Sequence, residues 1–221
     1  LFQPLMFALS VIAIVYASLV AFRQTDIKKL VAYSSVAHMG FVTLGTFLFN
    51  AQGMEGAIIQ MISHGFVAGA MFFCIGVIYD RLHSHLIADC GGIVNKMPVY
   101  AAFLMLFAMA NAGLPATSGF VGEFMVILGA LQVNFWIAAT TATIMIVGAA
   151  YTLWMYKRVI FGAITNHHVA EMVDVNKREL FILAILAFFT IAMGVWPEPV
   201  THVMHTSVND LLRHVAISKL Q

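Results

Sequence analysis

Six long apolar stretches, joined by short polar connections, set the strongest limit on what this chain can fold into. A membrane span needs about 20 mostly apolar residues. On that rule the spans are residues 4–22, 29–49, 54–79, a longer region 98–132, 135–156 and 180–196. Hydrocarbon offers no water to the backbone, so each stretch must satisfy its own N–H and C=O groups. The expected fold is therefore all-α, a polytopic transmembrane helix bundle. Composition agrees, since 62% of 221 positions are apolar and only 10% are Asp, Glu, Lys or Arg. So little charge could not coat a water-facing surface. A formal net charge of +1 leaves no basic stripe for nucleic acid. Cys74 and Cys90 form neither a disulfide framework nor a metal-ligand spacing. The chain opens at Leu1 without the charged start of a cleavable signal peptide, and is expected to be processed or part of a longer polypeptide.

The placement of basic residues predicts how the bundle is threaded. Arg23, Lys28 and Lys29 follow the first span, Arg81 and Lys96 the third, and Lys157, Arg158, Lys177 and Arg178 the fifth. If region 98–132 crosses once, all of these lie on one side, expected to be the cytoplasm or mitochondrial matrix. The opposite connections, 50–53 and 133–134, carry no Lys or Arg. Both chain ends then face outward, with Arg213 and Lys219 in a tail, 197–221, expected to lie along the outer surface or a neighbouring subunit.

Region 98–132 is too long for one straight crossing. A continuous helix over it would run about 50 Å, against a hydrocarbon core of about 30 Å. Its centre reads Asn111-Ala-Gly-Leu-Pro-Ala-Thr-Ser-Gly119, where Gly113, Pro115 and Gly119 disfavour helix. A discontinuous helix accounts for both length and breakers, with a Pro-kinked helix as the plainer alternative. Unwound backbone at membrane depth survives only beside protein or trapped water, where transporters place their sites.

Four polar features stand against the apolar background. Glu123 follows the break by about one turn; an intramembrane carboxylate normally faces a cavity or partner and marks an ion or proton path. It could also cap the second half-helix. His64 lies mid-span with Gln60 four residues earlier on the same helix face. Imidazole can accept on one nitrogen and donate on the other near neutral pH, although a histidine can equally serve as interhelical glue. His38 shares a face with Ser34 and Ser35, and the relay and packing readings are evenly matched. Lys28 sits in Thr25-Asp-Ile-Lys-Lys29, where Asp26 or Thr25 can cap a helix and the lysines can anchor it at the interface. Asp80-Arg-Leu-His-Ser-His85 lacks a metal-binding helix spacing, and His167, His168, Glu171 and Asp174 read as a solvated loop. No nucleophile–base motif is visible.

Together these segments resemble a known family. Gln24-Thr-Asp-Ile-Lys-Lys-Leu-Val-Ala-Tyr-Ser-Ser-Val-Ala-His-Met-Gly40, Gln60-Met-Ile-Ser-His-Gly65 and Gly113-Leu-Pro-Ala-Thr-Ser-Gly-Phe-Val-Gly-Glu-Phe124 resemble the antiporter-like subunits of respiratory complex I, NADH:ubiquinone oxidoreductase. Glu123 points to the M type, subunit 4 in mitochondria, because the L and N types usually carry lysine there. The resemblance implies two inverted five-helix repeats, each with a broken helix. Residues 1–160 match the second repeat and 161–221 a connecting loop, a last transmembrane helix and the tail. The first repeat is absent, so the chain is expected to be a C-terminal portion. The implied function is proton translocation in the membrane arm, with Glu123 the outer carboxylate of a polar axis and His64 and His38 its imidazoles. Lys28 matches a family lysine of less certain role, and His85 departs from a usual arginine. Implied partners are other membrane-arm subunits, including an N-terminal half and neighbouring antiporter-like subunits, and lipids. No metal, flavin, iron–sulfur cluster or quinone is implied for this chain, and the membrane would be the bacterial inner or mitochondrial inner membrane. A cation/proton antiporter subunit, a membrane-bound hydrogenase subunit and a non-transporting scaffold remain the alternatives.

Overall fold

A computed structural model describes residues 2–164 and 166–218. Leu1 and the tail's Lys219 lie outside the described residues. The elements are α1 (Gln3–Phe22), α2 (Ile27–Phe47), α3 (Ala51–Leu82), α4 (Pro98–Asn111), α5 (Ser118–Leu131), α6 (Phe135–Ile160), the single turn α7 (His167–Ala170), α8 (Lys177–Val195) and α9 (Glu198–Ser218). Two 3-10 turns, Ile87–Asp89 and Ile93–Asn95, precede α4. Five helices, α1, α2, α3, α6 and α8, are long and apolar enough to cross a membrane. The chain is an all-α membrane bundle.

Local chemistry fixes where the helices begin. Asp26 accepts from Lys29 N at 3.0 Å to start α2, and Asn50 accepts from Gly53 N at 2.7 Å to start α3. Asn134 does the same for α6, and Asn176 forms a capping box with Glu179 on α8. Such side chains satisfy orphan N–H groups of the first turn. The α4 terminus, opened by Pro98, is capped from a distance, with Asp174 accepting from Val99 N at 2.9 Å and Tyr100 N at 3.1 Å. The loop that reads in sequence as merely solvated is therefore structural at Asp174. The tail, 197–221 in the sequence reading, forms α9 from Glu198 to Ser218.

Loops gather at the two ends of the bundle. At one end Ile27 N bonds His85 O and Ile87 N bonds Thr25 O, both at 2.9 Å, and Gly92 N bonds Phe161 O at 3.2 Å. Arg81 joins the same end, donating to Val173 O and to Glu179 Oε2 at 2.9 Å each. At the other end Gln3 Nε2 reaches Phe47 O at 3.0 Å and Asn50 Nδ2 reaches Gly129 O at 2.9 Å. The basic connections thus share one end.

Region 98–132 comes as two 14-residue helices, α4 and α5, separated at residues 112–117. Each half is about 21 Å long, short of a full crossing, so the two together make one passage. Gly113 has φ +76° and Ala116 φ +72°. The left-handed region is easy for Gly113 and strained for Ala116, which holds only because its surroundings fix it. Those surroundings include α8, since a Cβ added at Gly194 would stand 2.4 Å from Ala116 O and from Thr117 Cα. A helix outside residues 1–160 therefore covers the break.

Candidate functional site

Glu123 is 3% exposed, on the second turn of α5, and its carboxylate is turned away from its own helix. Its Oε1 lies 2.6 Å from His38 Nδ1 on α2, close enough to share a proton. Gln60 on α3 donates from Nε2 to the same Oε1 at 3.2 Å. No backbone N–H of α5 bonds this side chain among the described residues, so it acts as a partner for neighbouring helices and not as a cap.

His64, one turn after Gln60, holds Ser35 Oγ at 2.6 Å through Nε2. The His38 and His64 rings are 5.5 Å apart between centroids and tilted by 43°. Beside them Ser63 Oγ donates to Ser118 Oγ at 2.8 Å, and Asn111 Nδ2 to Thr152 Oγ1 at 3.2 Å, tying both sides of the break to neighbouring helices. Two cavities of about 10 Å³ flank the pair. One is bounded by His38, Gln60, Ser63, His64, Asn111 and Glu123, the other by Ser18, His38, Asn111, Ile144, Tyr151 and Glu123. Each is about the size one water molecule requires, and each has the polar walls a water needs.

Why the chain brings these groups together is legible in its small residues. A Cβ at Gly122 would sit 2.8 Å from Gln60 N and Cα, and one at Gly119 2.5 Å from Ala110 O. Glycine at these positions lets α5 touch α3 and α4 backbone to backbone, as small residues do in membrane helix packing. Glu123, next to Gly122, is thereby carried to Gln60 and His38.

Comparison with known proteins places this arrangement. Residues 1–147 match the family profile described as NADH:quinone oxidoreductase/Mrp antiporter, transmembrane. The chain belongs to this family. The antiporter-family chain is 53% identical over 208 residues to NADH-quinone oxidoreductase subunit M of Rhodobacter capsulatus, covering 94% of this chain and 41% of that protein. It is 47% identical to NADH-ubiquinone oxidoreductase chain 4 of Marchantia polymorpha over 96% of this chain and 43% of that one. The chain thus spans less than half the length of these relatives. It superposes on a chain of respiratory complex I from Thermus thermophilus with a TM-score of 0.88 and 28% identity, covering 96% of this chain and 45% of the other. A chain of the Mrp complex from Dietzia sp. DQ12-45-1b shares the fold, with a TM-score of 0.86 at 19% identity over 96% of this chain and 47% of that one.

Within the antiporter-family bundle, three of the four titratable residues singled out from sequence, Glu123, His38 and His64, meet in one cluster. Lys28 does not join them. It is exposed in the first turn of α2, about 15 Å along the helix from His38. Of the helix-breaking residues, Gly113 lies on the break with its Cα side toward Glu123, since a Cβ there would stand 3.3 Å from Glu123 Oε2. Pro115 lies within the break, and Gly119 is on the first turn of α5.

The sequence reading of the antiporter-family chain missed one pairing altogether. Glu55, mostly buried near the start of α3, lies 2.6 Å from His205 Nδ1 on α9 and fastens that surface helix to the bundle. Glu55 sits one residue inside a predicted span, which was a signal for it; His205 carried none, because its partner is 150 residues away. Among the described residues no group of three or more His, Cys, Asp or Glu could hold a metal ion.

Proposed function

We propose that this chain translocates protons as an M-type membrane-arm subunit of NADH:quinone oxidoreductase, through a relay of His64, His38 and Glu123. The observation that carries the reading is the His38–Glu123 contact, 2.6 Å long and buried beside the break in a helix. A carboxylate taken out of water is costly unless paired and hydrogen-bonded. Here the partner is an imidazole that lines a cavity together with His64, and its second nitrogen is buried with no hydrogen-bond partner among the described residues. Proton entry is from the end that holds the basic connections, passing through His64 to His38. Transfer from His38 Nδ1 to the carboxylate leaves both groups neutral, and Glu123 releases the proton outward. Energy for the cycle comes from quinone reduction elsewhere in the complex, where this chain's partners are the other membrane-arm subunits. The chain's own part is transport, not redox chemistry. Lys28, at the inner mouth, serves at most as an entry-side charge.

A cation/proton antiporter subunit is the second reading, and the identities favour complex I. Relatives at 53% and 47% bear complex I names, whereas the Mrp chain at 19% shares only the fold.

The test is Glu123→Gln in the assembled complex in sealed vesicles. Assembly with proton pumping reduced by about 100-fold or more is expected, the usual weight of a positioned acid–base group. Normal pumping would make the cluster mere helix glue.

A further inference from the structure

Gln60 is 2% exposed, and its Oε1 has no hydrogen-bond partner among the described residues. A buried amide left half satisfied costs stability and calls for an explanation. Its orientation is fixed by chemistry: toward an acceptor-only carboxylate the amide must present its N–H. The contact is built in, because Gly122 brings α5 against the Gln60 backbone. The result is asymmetric. Glu123 Oε1 takes both Gln60 Nε2 and His38 Nδ1, while Oε2 has no hydrogen-bond partner among the described residues and faces Gly113 at the break.

We infer that Gln60 is a positioning residue that makes the two oxygens of Glu123 unequal, one for exchange with His38 and one that carries the proton at the helix break. This rests on the relay reading above. When the proton moves, the His38 Nδ1–H bond breaks and an O–H bond forms on the nearer carboxylate oxygen. That oxygen is then a hydroxyl, a poorer acceptor for the Gln60 N–H than a bare carbonyl oxygen. Turning the carboxyl about its Cγ–Cδ bond places the O–H at the break and returns a bare oxygen to the Gln60 N–H, which offsets part of the O–H···N bond given up to the newly deprotonated His38 Nδ1. Gln60 thus favours forward passage over return to His38. The titratable groups facing this carboxyl are His38 on α2, His64 on α3 and Tyr151 on α6.

The experiment uses the whole complex in sealed vesicles, with wild type, Gln60→Met, Gln60→Glu and Glu123→Gln compared side by side. Gln60→Met keeps length and removes the donor. The rate of proton pumping should fall about tenfold, the weight of one hydrogen bond to a charged group. The infrared C=O band of protonated Glu123, identified by its loss in Glu123→Gln, should move to higher frequency because that carbonyl has lost a donor. Gln60→Glu donates only when protonated, so its pumping should recover toward acid pH; a packing role would give no such recovery. Wild-type pumping and an unmoved band in Gln60→Met, with Glu123→Gln inactive, overturn the role of Gln60 and leave the relay standing. If Glu123→Gln pumps normally, both fall. Should Gln60→Met fail to assemble, Gln60→Glu decides alone, and pumping independent of pH overturns the inference.

Discussion

A carboxylate, two imidazoles and an amide occupy a space in this bundle that hydrocarbon residues could have filled. All four are legible in sequence for a physical reason: against such an apolar background, a polar side chain inside a span must have a partner. What sequence could not supply was who pairs with whom. His38 and Glu123 are 85 positions apart and His64 and Ser35 are 29 apart, so the contacts depend on how α2, α3 and α5 pack. Lys28 shows the converse, a residue noticed for its motif that the fold leaves at the surface. Chemistry at single residues also separates the inert from the active. The Cys90 thiol, in the connection before α4, is 6% exposed, and burial with Asp89 alongside pushes it up to about 11. Raised this way, the thiol stays protonated at neutral pH and becomes a nucleophile only as pH climbs toward that value. Its alkylation by iodoacetamide at pH 8 should therefore be slower than that of a free cysteine by on the order of 100-fold, rising about tenfold per pH unit. Mass spectrometry of labelled protein over a pH series would measure this; rapid labelling at neutral pH would show that the connection opens.

At the scale of helices, what decides the site is how closely α3 and α5 approach. Local propensity marked Gly113, Pro115 and Gly119 as unfavourable to helix, and the interruption at residues 112–117 takes in the first two while Gly119 lies in the first turn of α5. Propensity did not show which glycines are contact points, since Gly122 and Gly76 look alike in a sequence. The structure separates them. A Cβ at Gly122 would meet Gln60 N at 2.8 Å and Gln60 Oε1 at 2.6 Å, whereas one at Gly76 meets nothing within 4 Å. Gly122→Ala must push α5 away from α3, at a cost of about 1–3 kcal/mol. Gly76→Ala should be neutral or stabilise by up to about 1 kcal/mol, because alanine is the better helix former. Unfolding of the two variants in a detergent titration should differ in that order. Equal stabilities would mean that the helices do not meet backbone to backbone. The boundaries moved for a similar reason: α3 begins at Ala51 and ends at Leu82, beyond the span of 54–79 read from hydropathy, because capping by Asn50 and a left-handed His83 set its ends.

For the whole molecule, sidedness joins the basic residues, the break and the cluster into one argument. Hydropathy alone leaves the direction of every helix open, and charge placement chooses one. The fold supplies an independent reason for grouping the basic connections on one side. The connections at residues 23–26, 83–97 and 161–176 are hydrogen-bonded to one another or to the same helices, so they cannot be split between two faces of a membrane. At the opposite end Gln52 and Gln132 bond each other at 2.9 Å, and α9 is held there by Glu55 and His205. Single cysteines introduced at Lys96 and at Gln132, in a chain with Cys74 and Cys90 replaced by alanine, test this directly. A membrane-impermeant maleimide added outside right-side-out vesicles should label Gln132→Cys and leave Lys96→Cys unlabelled until the vesicles are opened. Inverted vesicles should reverse the pattern. If Lys96→Cys were labelled from outside, the basic connections would face outward, and the proposed route from His64 through Glu123 would run inward instead.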